Sequence, residues 1–283
     1  MVGKNYLYIY AKSFNWAGFF LPKDTYRECS ALYDFCRTVD NIADEKNELK
    51  IREKKFLTFN EDFKNKNFNN IIIKNMWHII DKFNISLKII DDLFEGIKSD
   101  IKDIVKIDSK KDLLIYSYKV AGTVGLMMAK VLRVNKKNAL KSAIDLGIAM
   151  QLTNISRDVI EDKKNNRTYI NDDFESIKST IKLSNFFYDS SFIAIKEIPL
   201  NLRFSILVAR RVYKKIGHKI IAKNNIENYK KSGKIYLTNF EKVIETIFSI
   251  FDFIKLILNY KSIDNIVHEH NSINEEINLD ERI

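Results

Sequence analysis

Two short segments of the chain carry pairs of aspartates at a spacing that suits metal or phosphate chemistry. The first segment contains Asp40 and Asp44, and the second contains Asp158 and Asp162. Residues four apart lie on one face of a helix, so each segment would present two carboxylates side by side. One such pair is weak evidence, because like charges at this spacing are destabilising and usually lie on a solvated helix face.

The second pair extends into a polar strip within an otherwise apolar helix. Four side chains with oxygen donors share an arc of roughly 80° at ~100° per residue: Gln151, Asn154, Asp158 and Asp162. Burying this strip is costly unless a cation or a ligand satisfies it. Carboxylate and carboxamide oxygens suit Mg²⁺, which usually bridges one or two carboxylates to a substrate phosphate.

An arginine accompanies each pair of aspartates. Arg37 lies close before Asp40, and Arg157 directly precedes Asp158. A guanidinium group can bind phosphate oxygens through two parallel hydrogen bonds. Two such helices that face each other across a cavity would therefore form a site for Mg²⁺, or Mn²⁺, and a diphosphate.

The segment 116–129 is rich in small residues. Gly122 and Gly125 fall within its helical pattern, where each glycine costs ~1 kcal/mol relative to alanine. Small residues here would allow either close packing of two helices or close approach of an extended apolar ligand, and both interpretations stay open. The aromatic residues between Tyr10 and Phe20 are interpreted as core packing.

Apolar residues recur at helical spacing through most of the chain and predict an all-α fold. The first acidic pair ends a helix that Asp24 caps, and the second lies in a helix over 139–161. We expect one helical bundle around a central cavity over residues 1–263, followed by a frayed polar tail over 264–283. The pattern also predicts a loop over 60–70 and helices over 71–83, 87–104, 111–132, 186–195, 200–220 and 232–258.

The composition narrows the class of protein. Only 8 Gly and 2 Pro occur among 283 residues, which disfavours β-sandwiches and barrels with their many turns. Cys29 and Cys36 cannot form a disulfide framework, so we expect a reducing compartment. We find neither a run of ~18 apolar residues that could span a membrane nor a secretory signal. A cytoplasmic protein, or one bound peripherally to a membrane, is expected.

The net charge is +10. A surface this basic can meet nucleic acid, anionic lipid or an anionic substrate. The sequence has no basic stripe with interleaved aromatic residues, which argues against nucleic acid. Its four histidines lack the E-x-x-H spacing of a di-iron bundle, and it contains no Walker A, dinucleotide or zinc motif.

Four motifs occur in an order that resembles the squalene/phytoene synthase family of head-to-head trans-prenyl synthases. They read AKSF (11–14) followed by LP (21–22), LYDFCRTVDNIADE (32–45), YSYKVAGTVGLMMAKVL (116–132) and QLTNISRDVIEDKKNNRTYI (151–170). The resemblance runs from about Tyr10 to about Lys242. Within the family, the third motif is most similar to the bacterial phytoene synthases.

The resemblance implies an isoprenoid synthase fold whose two Asp-rich helices face each other across the cavity. It implies that Mg²⁺ binds through Asp40, Asp44, Asp158 and Asp162 with help from Asn154. Residues at family positions that meet the diphosphate or line the pocket are Lys12, Ser13, Tyr33, Arg37, Gln151 and Arg157. Tyr118 and Tyr213 match positions near the reacting carbons, and the ring faces of Phe14 or Tyr118 could stabilise a carbocation.

The implied reaction joins two geranylgeranyl diphosphates through a cyclopropyl diphosphate to give phytoene, without NADPH. A squalene or dehydrosqualene synthase acting on farnesyl diphosphate is the alternative, since chain length depends on side chains at the cavity floor. A non-catalytic assembly factor of the same fold should have lost its aspartate pairs, and both are present. The basic charge agrees with docking on an anionic membrane, and the oligomeric state is left open.

Three positions depart from the family pattern. The segment from Arg167 to Asn171 lacks the proline that usually follows Arg-x-Tyr-Leu. Lys234 stands where an arginine is common, and Tyr10 stands where a histidine is common. None of these differences removes an expected metal ligand.

Overall fold

Helices account for most of the chain, as the apolar spacing predicts, and the all-α fold class is confirmed. A computed structural model describes residues 12–259 and 271–283. The first part contains α1 (Lys12–Gly18), α2 (Lys23–Asp44), α3 (Leu49–Lys64), α4 (Ile71–Phe83), α5 (Leu87–Ser99), strand β1 (Val105–Lys106), α6 (Lys110–Ser117), a π-helical turn (Tyr118–Gly122) and α7 (Thr123–Val131).

The second part is built around the longest of these helices, α8. It contains α8 (Lys137–Lys164), strand β2 (Arg167–Thr168), α9 (Phe174–Ser190), a 3-10 turn (Ile193–Glu197), α10 (Leu200–Ile221), α11 (Ile226–Lys231), α12 (Asn239–Leu258), α13 (Asn271–Asn274) and a 3-10 turn (Leu279–Glu281). α8 packs against α6, α7, α9 and α10. Its buried residues lie on several sides, as expected for a helix inside a bundle.

α7 and α8 pack with their backbones in direct contact. A Cβ atom added to Gly125 would lie 2.3 Å from the carbonyl oxygen of Ala143, and one added to Gly147 would lie 2.3 Å from that of Ala121. Both distances are far below van der Waals contact, so only glycine fits at either position. The glycines of the third motif therefore serve close helix packing.

The short strands fix the loop that follows α8. β1 and β2 pair in parallel, with Val105 opposite Arg167 and Lys106 opposite Thr168. This pairing holds Arg167 where its side chain reaches Asp44 at the end of α2. The ends of the two acidic helices are thus connected through one arginine.

Several boundaries differ from the prediction. α3 continues to Lys64, into the expected loop, and the helix expected over 87–104 ends at Ser99. The π-helical turn interrupts the helix expected over 111–132. α9 spans Phe174–Ser190, whereas the pattern placed a helix over 186–195. α12 begins at Asn239 because Thr238 and Glu241 form a capping box there.

The expectation of a frayed C-terminal tail is wrong for residues 271–283. Ile273, Ile277 and Leu279 are buried in the core, and Arg282 forms two hydrogen bonds to Asp92, of 2.9 and 3.0 Å. A polar composition misled the prediction, because the few apolar residues of this segment lie on one side and its charges pair with the bundle.

Candidate active site

A cavity of about 340 Å³ lies between α2, α7, α8 and α10. Its walls are mainly apolar and include Leu93, Val124, Met128, Leu146, Ile195 and Ile206. α8 lines it from Ala139 to Asn154, a length of roughly 22 Å at ~1.5 Å per residue. This volume lies at the low end of the range for ligand pockets, and the depth suits an extended apolar chain.

One end of this cavity is polar. Arg37 and Asp40 reach it from α2, and Gln151 and Asn154 reach it from α8. Asp44 and Asp158 lie one helical turn beyond Asp40 and Asn154 respectively, on the same helix faces. An amphiphile with an anionic head and an apolar tail therefore matches the distribution of polarity along the cavity.

The carboxylates of α2 are paired with arginines. Arg37 donates from Nη1 to Asp40, and its Nη2 atom lies 4.0 Å from Asp44. Arg167 Nη1 donates to Asp44 Oδ1 over 2.7 Å, and its Nη2 donates to the backbone carbonyl of Ala43 over 3.1 Å. Burial raises the pKa of Asp40 above its ordinary value, and the charge of Asp44 raises it further.

The carboxylates of α8 have a different set of partners. Arg157 donates to both oxygens of Asp158, with distances of 2.9 and 2.6 Å. Lys234 Nζ lies 3.4 Å from Asp158 Oδ1 and 2.6 Å from Glu161 Oε2. Burial, reinforced by the charge of Asp158, raises the pKa of Asp162 to about 7. In each pair, burial and the charge of the neighbouring aspartate raise the pKa of one carboxyl group, Asp40 or Asp162. The nearby cations therefore do not fully neutralise either pair.

The donor set fits a hard divalent cation that shares its ligands with an anion. Asn154 Oδ1 is buried and accepts no hydrogen bond from any residue that the structure describes. Within that same part of the chain, no three side chains of the His, Cys, Asp and Glu types converge as a metal cluster. Mg²⁺ typically takes one or two protein carboxylates and completes its shell with water and phosphate oxygens, which agrees with paired aspartates and an unsatisfied amide oxygen.

Three aromatic rings gather beside the polar end. Phe14 lies 4.9 Å from Tyr213 and 6.4 Å from Tyr33, measured between ring centroids, and all three line the cavity. Burial raises the pKa of Tyr213 to about 12 and also raises that of Tyr33. Both phenols are therefore neutral near pH 7 and present the electron-rich faces of their rings.

Seven of the fourteen predicted site residues line this cavity. Those that line it are Phe14, Tyr33, Arg37, Asp40, Gln151, Asn154 and Tyr213. Ser13 is half-buried on α1 but is not part of the lining. Lys12 begins α1, and its side chain lies outside the described residues, as does Tyr10.

Tyr118, which the resemblance places near the reacting carbons, does not line the cavity. Its ring is fully buried outside the cavity lining, and its hydroxyl donates to Asp92 over 2.7 Å. Tyr116, two residues earlier and therefore on the opposite side of α6, lines the cavity instead. Asp92 is buried and also pairs with Arg282.

The sequence reasoning missed a buried cluster next to the cavity. Asp100 accepts hydrogen bonds from the hydroxyls of Tyr116 and Tyr169, each over 2.7 Å. The two tyrosine rings stack with centroids 4.8 Å apart, and burial raises the pKa of Asp100. Both tyrosines occur within the family motifs quoted above, so the sequence could have identified them as candidates. No local sequence pattern marks Asp100.

The sequence comparisons agree with the motifs. The family model described as squalene/phytoene synthase matches residues 9–176, a range that includes both aspartate pairs. A 15-cis-phytoene synthase of Paracoccus sp. is 36% identical over 149 residues, which cover 46% of this chain and 48% of that protein. Phytoene synthase 1, chloroplastic, of Solanum lycopersicum is 26% identical over 265 residues, 83% of this chain and 63% of that protein. The chain thus spans about half to under two thirds of the length of these relatives.

Solved structures share the fold. A dehydrosqualene synthase crystallised with a ligand superimposes with a TM-score of 0.74 at 27% identity, covering 88% of this chain and 94% of that one. A squalene synthase from Alicyclobacillus acidocaldarius gives a TM-score of 0.66 at 16% identity, over 79% and 91% of the two chains. The second likeness, at that identity, speaks for the fold alone.

Proposed function

This chain belongs to the squalene/phytoene synthase family, and we propose that it acts as a phytoene synthase. It would condense two geranylgeranyl diphosphates head to head, through a cyclopropyl diphosphate, to phytoene. The observation that carries the proposal is the cavity itself. It follows α8 for roughly 22 Å, mostly between apolar walls, and two arginine-paired aspartate couples flank its polar end.

The proposed substrate binds with its diphosphate at the polar end and its prenyl chain along the cavity. Arg37 and Arg157 are the cations next to the aspartate pairs and would exchange those partners for diphosphate oxygens. Lys234 provides a third positive charge near Asp158. Guanidinium groups suit this role because they bind phosphate oxygens bidentately.

A divalent cation belongs to this proposal. Asp40, Asp44, Asp158, Asp162 and Asn154 are the residues that would hold Mg²⁺, or Mn²⁺ in its place. When bound, the metal would neutralise charge on the departing diphosphate. The unsatisfied Asn154 oxygen and the mutual repulsion of the carboxylates support this assignment.

The cavity supplies what the carbon chemistry needs. Departure of one diphosphate leaves an allylic cation, which the alkene of the second substrate attacks, and loss of a proton closes the cyclopropane ring. A second ionisation, rearrangement and proton loss give the hydrocarbon. The apolar walls exclude water that would quench the cations, and the rings of Phe14, Tyr33 and Tyr213 offer cation–π stabilisation at the polar end.

A second candidate is a squalene or dehydrosqualene synthase that uses farnesyl diphosphate. It is favoured by the likeness to a dehydrosqualene synthase over nearly the whole chain. The two candidates share the polar end and differ in how much of the cavity the prenyl chain fills. A non-catalytic assembly factor is the weakest reading, because the acidic pairs and their arginines are all present.

Product analysis separates these candidates. The purified protein is incubated with Mg²⁺ and with geranylgeranyl or farnesyl diphosphate, each with and without NADPH. Phytoene from the longer substrate without NADPH supports the proposal, and a thirty-carbon product replaces it with the second candidate. A folded protein that forms no product from either substrate, with detergent or lipid present, would overturn both.

We also propose peripheral contact with an anionic membrane, where the apolar substrate chains and product partition. The net charge of +10 supports it, because anionic lipid attracts basic surfaces.

A further inference from the structure

α12 has the opposite polarity to an ordinary surface helix. Its outward side carries eight exposed apolar residues within an arc of roughly 120° at ~100° per residue: Phe240, Val243, Ile247, Ile250, Phe251, Ile254, Ile257 and Leu258. Phe240 is 74% exposed and Phe251 is 61% exposed. Water-facing helix surfaces are normally polar, so this stripe, named here the α12 face, requires a partner.

The inward side of the same helix is polar and well satisfied. Arg211 on α10 donates to Asp252 over 2.7 Å and to Glu245 over 3.1 Å. Trp16 Nε1 donates to Thr246 over 3.0 Å, and Ser249 is fully buried. These contacts fix the rotation of α12, so its apolar side must point away from the bundle.

The α12 face continues toward the substrate cavity. Phe253 on α12 lies 6.2 Å from Phe204 on α10, and Phe204 lies 5.0 Å from Phe20, measured between ring centroids. Phe20 and its highly exposed neighbour Phe19 form the turn between α1 and α2. The flanking residues Ala17, Gly18 and Leu21 line the cavity. An apolar surface therefore leads from the outside of α12 to the cavity wall.

We propose that the α12 face, with Phe19 and Phe20 beside it, lies on the surface of a lipid bilayer. The turn between α1 and α2 is then the route by which apolar molecules pass between bilayer and cavity. The route rests on the proposed function, whereas the docking does not. No helix among the described residues is long and apolar enough to cross a membrane. In the proposed arrangement α12 lies along the bilayer surface, as amphipathic interfacial helices do.

Two observations favour a bilayer over a second copy of the chain. The stripe runs straight along one long helix, which suits a flat interface. Exposed Lys255 adjoins the stripe on α12, and exposed Lys23 closely follows Phe19 and Phe20 in the chain. Anionic headgroups would attract both lysines and the net charge of +10.

Flotation of the full-length protein with vesicles tests the docking. Wild-type protein should float with phosphatidylcholine vesicles that contain phosphatidylglycerol, and less with phosphatidylcholine alone. The double substitution Phe251→Ser/Ile254→Ser should lower the partition coefficient on the order of 100-fold, since it removes two large apolar side chains from the contact. Phe68→Ser/Ile104→Ser removes the same side-chain types from exposed positions elsewhere and should float like the wild type.

Two readouts keep this test separate from that of the proposed function. Light scattering reports whether the protein is a dimer, and turnover is measured with substrate in detergent and in vesicles. The Phe251/Ile254 variant should keep its turnover in detergent and lose it with vesicle-borne substrate. Protein that floats but forms no product would overturn the proposed function alone.

The docking inference is overturned by any of three results. Wild-type protein fails to float with either vesicle, the two double variants float equally well, or light scattering shows a dimer that the Phe251/Ile254 substitutions dissociate. Each result would mean that the α12 face meets something other than lipid.

Discussion

α8 and α12 both reverse the usual distribution of polar and apolar side chains, but in opposite directions. α8 lies in the centre of the bundle and turns a strip of amide and carboxyl groups toward the end of a cavity. α12 lies at the surface and turns an apolar stripe outward while its polar side faces the protein. Departures from local rules tend to mark functional sites. Under the two proposals, one departure marks the reacting head of the substrate and the other marks the contact with lipid.

The two reversals are stabilised in different ways. On α12, ion pairs with Arg211 satisfy the inward polar groups within the described residues. On α8, the Oδ1 atom of Asn154 accepts no hydrogen bond from the described residues, and the pKa of Asp162 is raised to about 7. A polar group that the protein itself does not satisfy indicates a ligand, whereas a satisfied one indicates structure.

The largest effect should come from the polar strip of α8. Asp158→Asn keeps the shape of the side chain but removes a charge from the proposed metal and diphosphate site, so turnover should fall on the order of 1000-fold. Steady-state kinetics measures the loss, and circular dichroism checks that the fold is intact. Asp81→Asn, at an exposed position on α4, is the matched control. Normal turnover in Asp158→Asn would mean that the polar strip of α8 has only a structural role, and would contradict its contrast with α12.

The next effect concerns what holds α8 in place. Gly147→Ala should lower the free energy of unfolding by about 3 kcal/mol, because the new methyl group meets the backbone carbonyl of Ala121. Gly217→Ala, on α10, meets only the side chain of Ile181 at 3.3 Å. It should be close to neutral, since alanine favours a helix by ~1 kcal/mol over glycine. Denaturant unfolding gives both values, and equal values would contradict the close α7–α8 contact.

The C-terminal segment provides a smaller effect. Arg282→Met removes both hydrogen bonds to buried Asp92 while keeping an apolar stem, and should cost about 2 kcal/mol of stability. Lys88→Met breaks the exposed pair with Glu281, which is worth at most ~1 kcal/mol. If urea unfolding finds the two variants alike, residues 271–283 do not contribute to the stability of the bundle.

The smallest effect distinguishes two neighbouring tyrosines. Tyr118→Phe should lower stability by ~1 kcal/mol through the lost hydrogen bond to Asp92, and leave turnover unchanged. Tyr116→Phe disturbs a hydroxyl that Asp100 holds at the cavity wall, and should reduce turnover more than Tyr118→Phe does. If Tyr118→Phe instead reduced turnover more than Tyr116→Phe, Tyr118 would belong to the active site.

The sequence predicted well the features that depend on local spacing. The i, i+4 aspartates, the polar strip of α8 and the helical fold all follow from regular α-helical geometry, and the structure has them. The same geometry puts Tyr116 and Tyr118 on opposite sides of a helix, but spacing alone does not state which of the two faces the cavity. Asp100, Asp92 and Arg282 were missed because their partners are distant in the chain, and no local pattern reports such pairings.

The outward side of α12 was also hidden from the sequence. Its stripe of apolar residues is typical of a helix that faces the core, and periodicity alone cannot state which way a helix is turned. The ion pairs from Arg211 to Glu245 and Asp252 and the hydrogen bond from Trp16 to Thr246 fix that rotation. The direction of a helix face is thus a tertiary property.

A crystal structure with Mg²⁺ and an unreactive thiolo analogue of geranylgeranyl diphosphate tests the central claim most directly. The account predicts metal-bound diphosphate at the polar end, with Arg37 and Arg157 turned from Asp40 and Asp158 to the diphosphate. The prenyl chain should run along α8 toward Ala139. A diphosphate bound elsewhere, with both arginines still on their aspartates, would contradict the account.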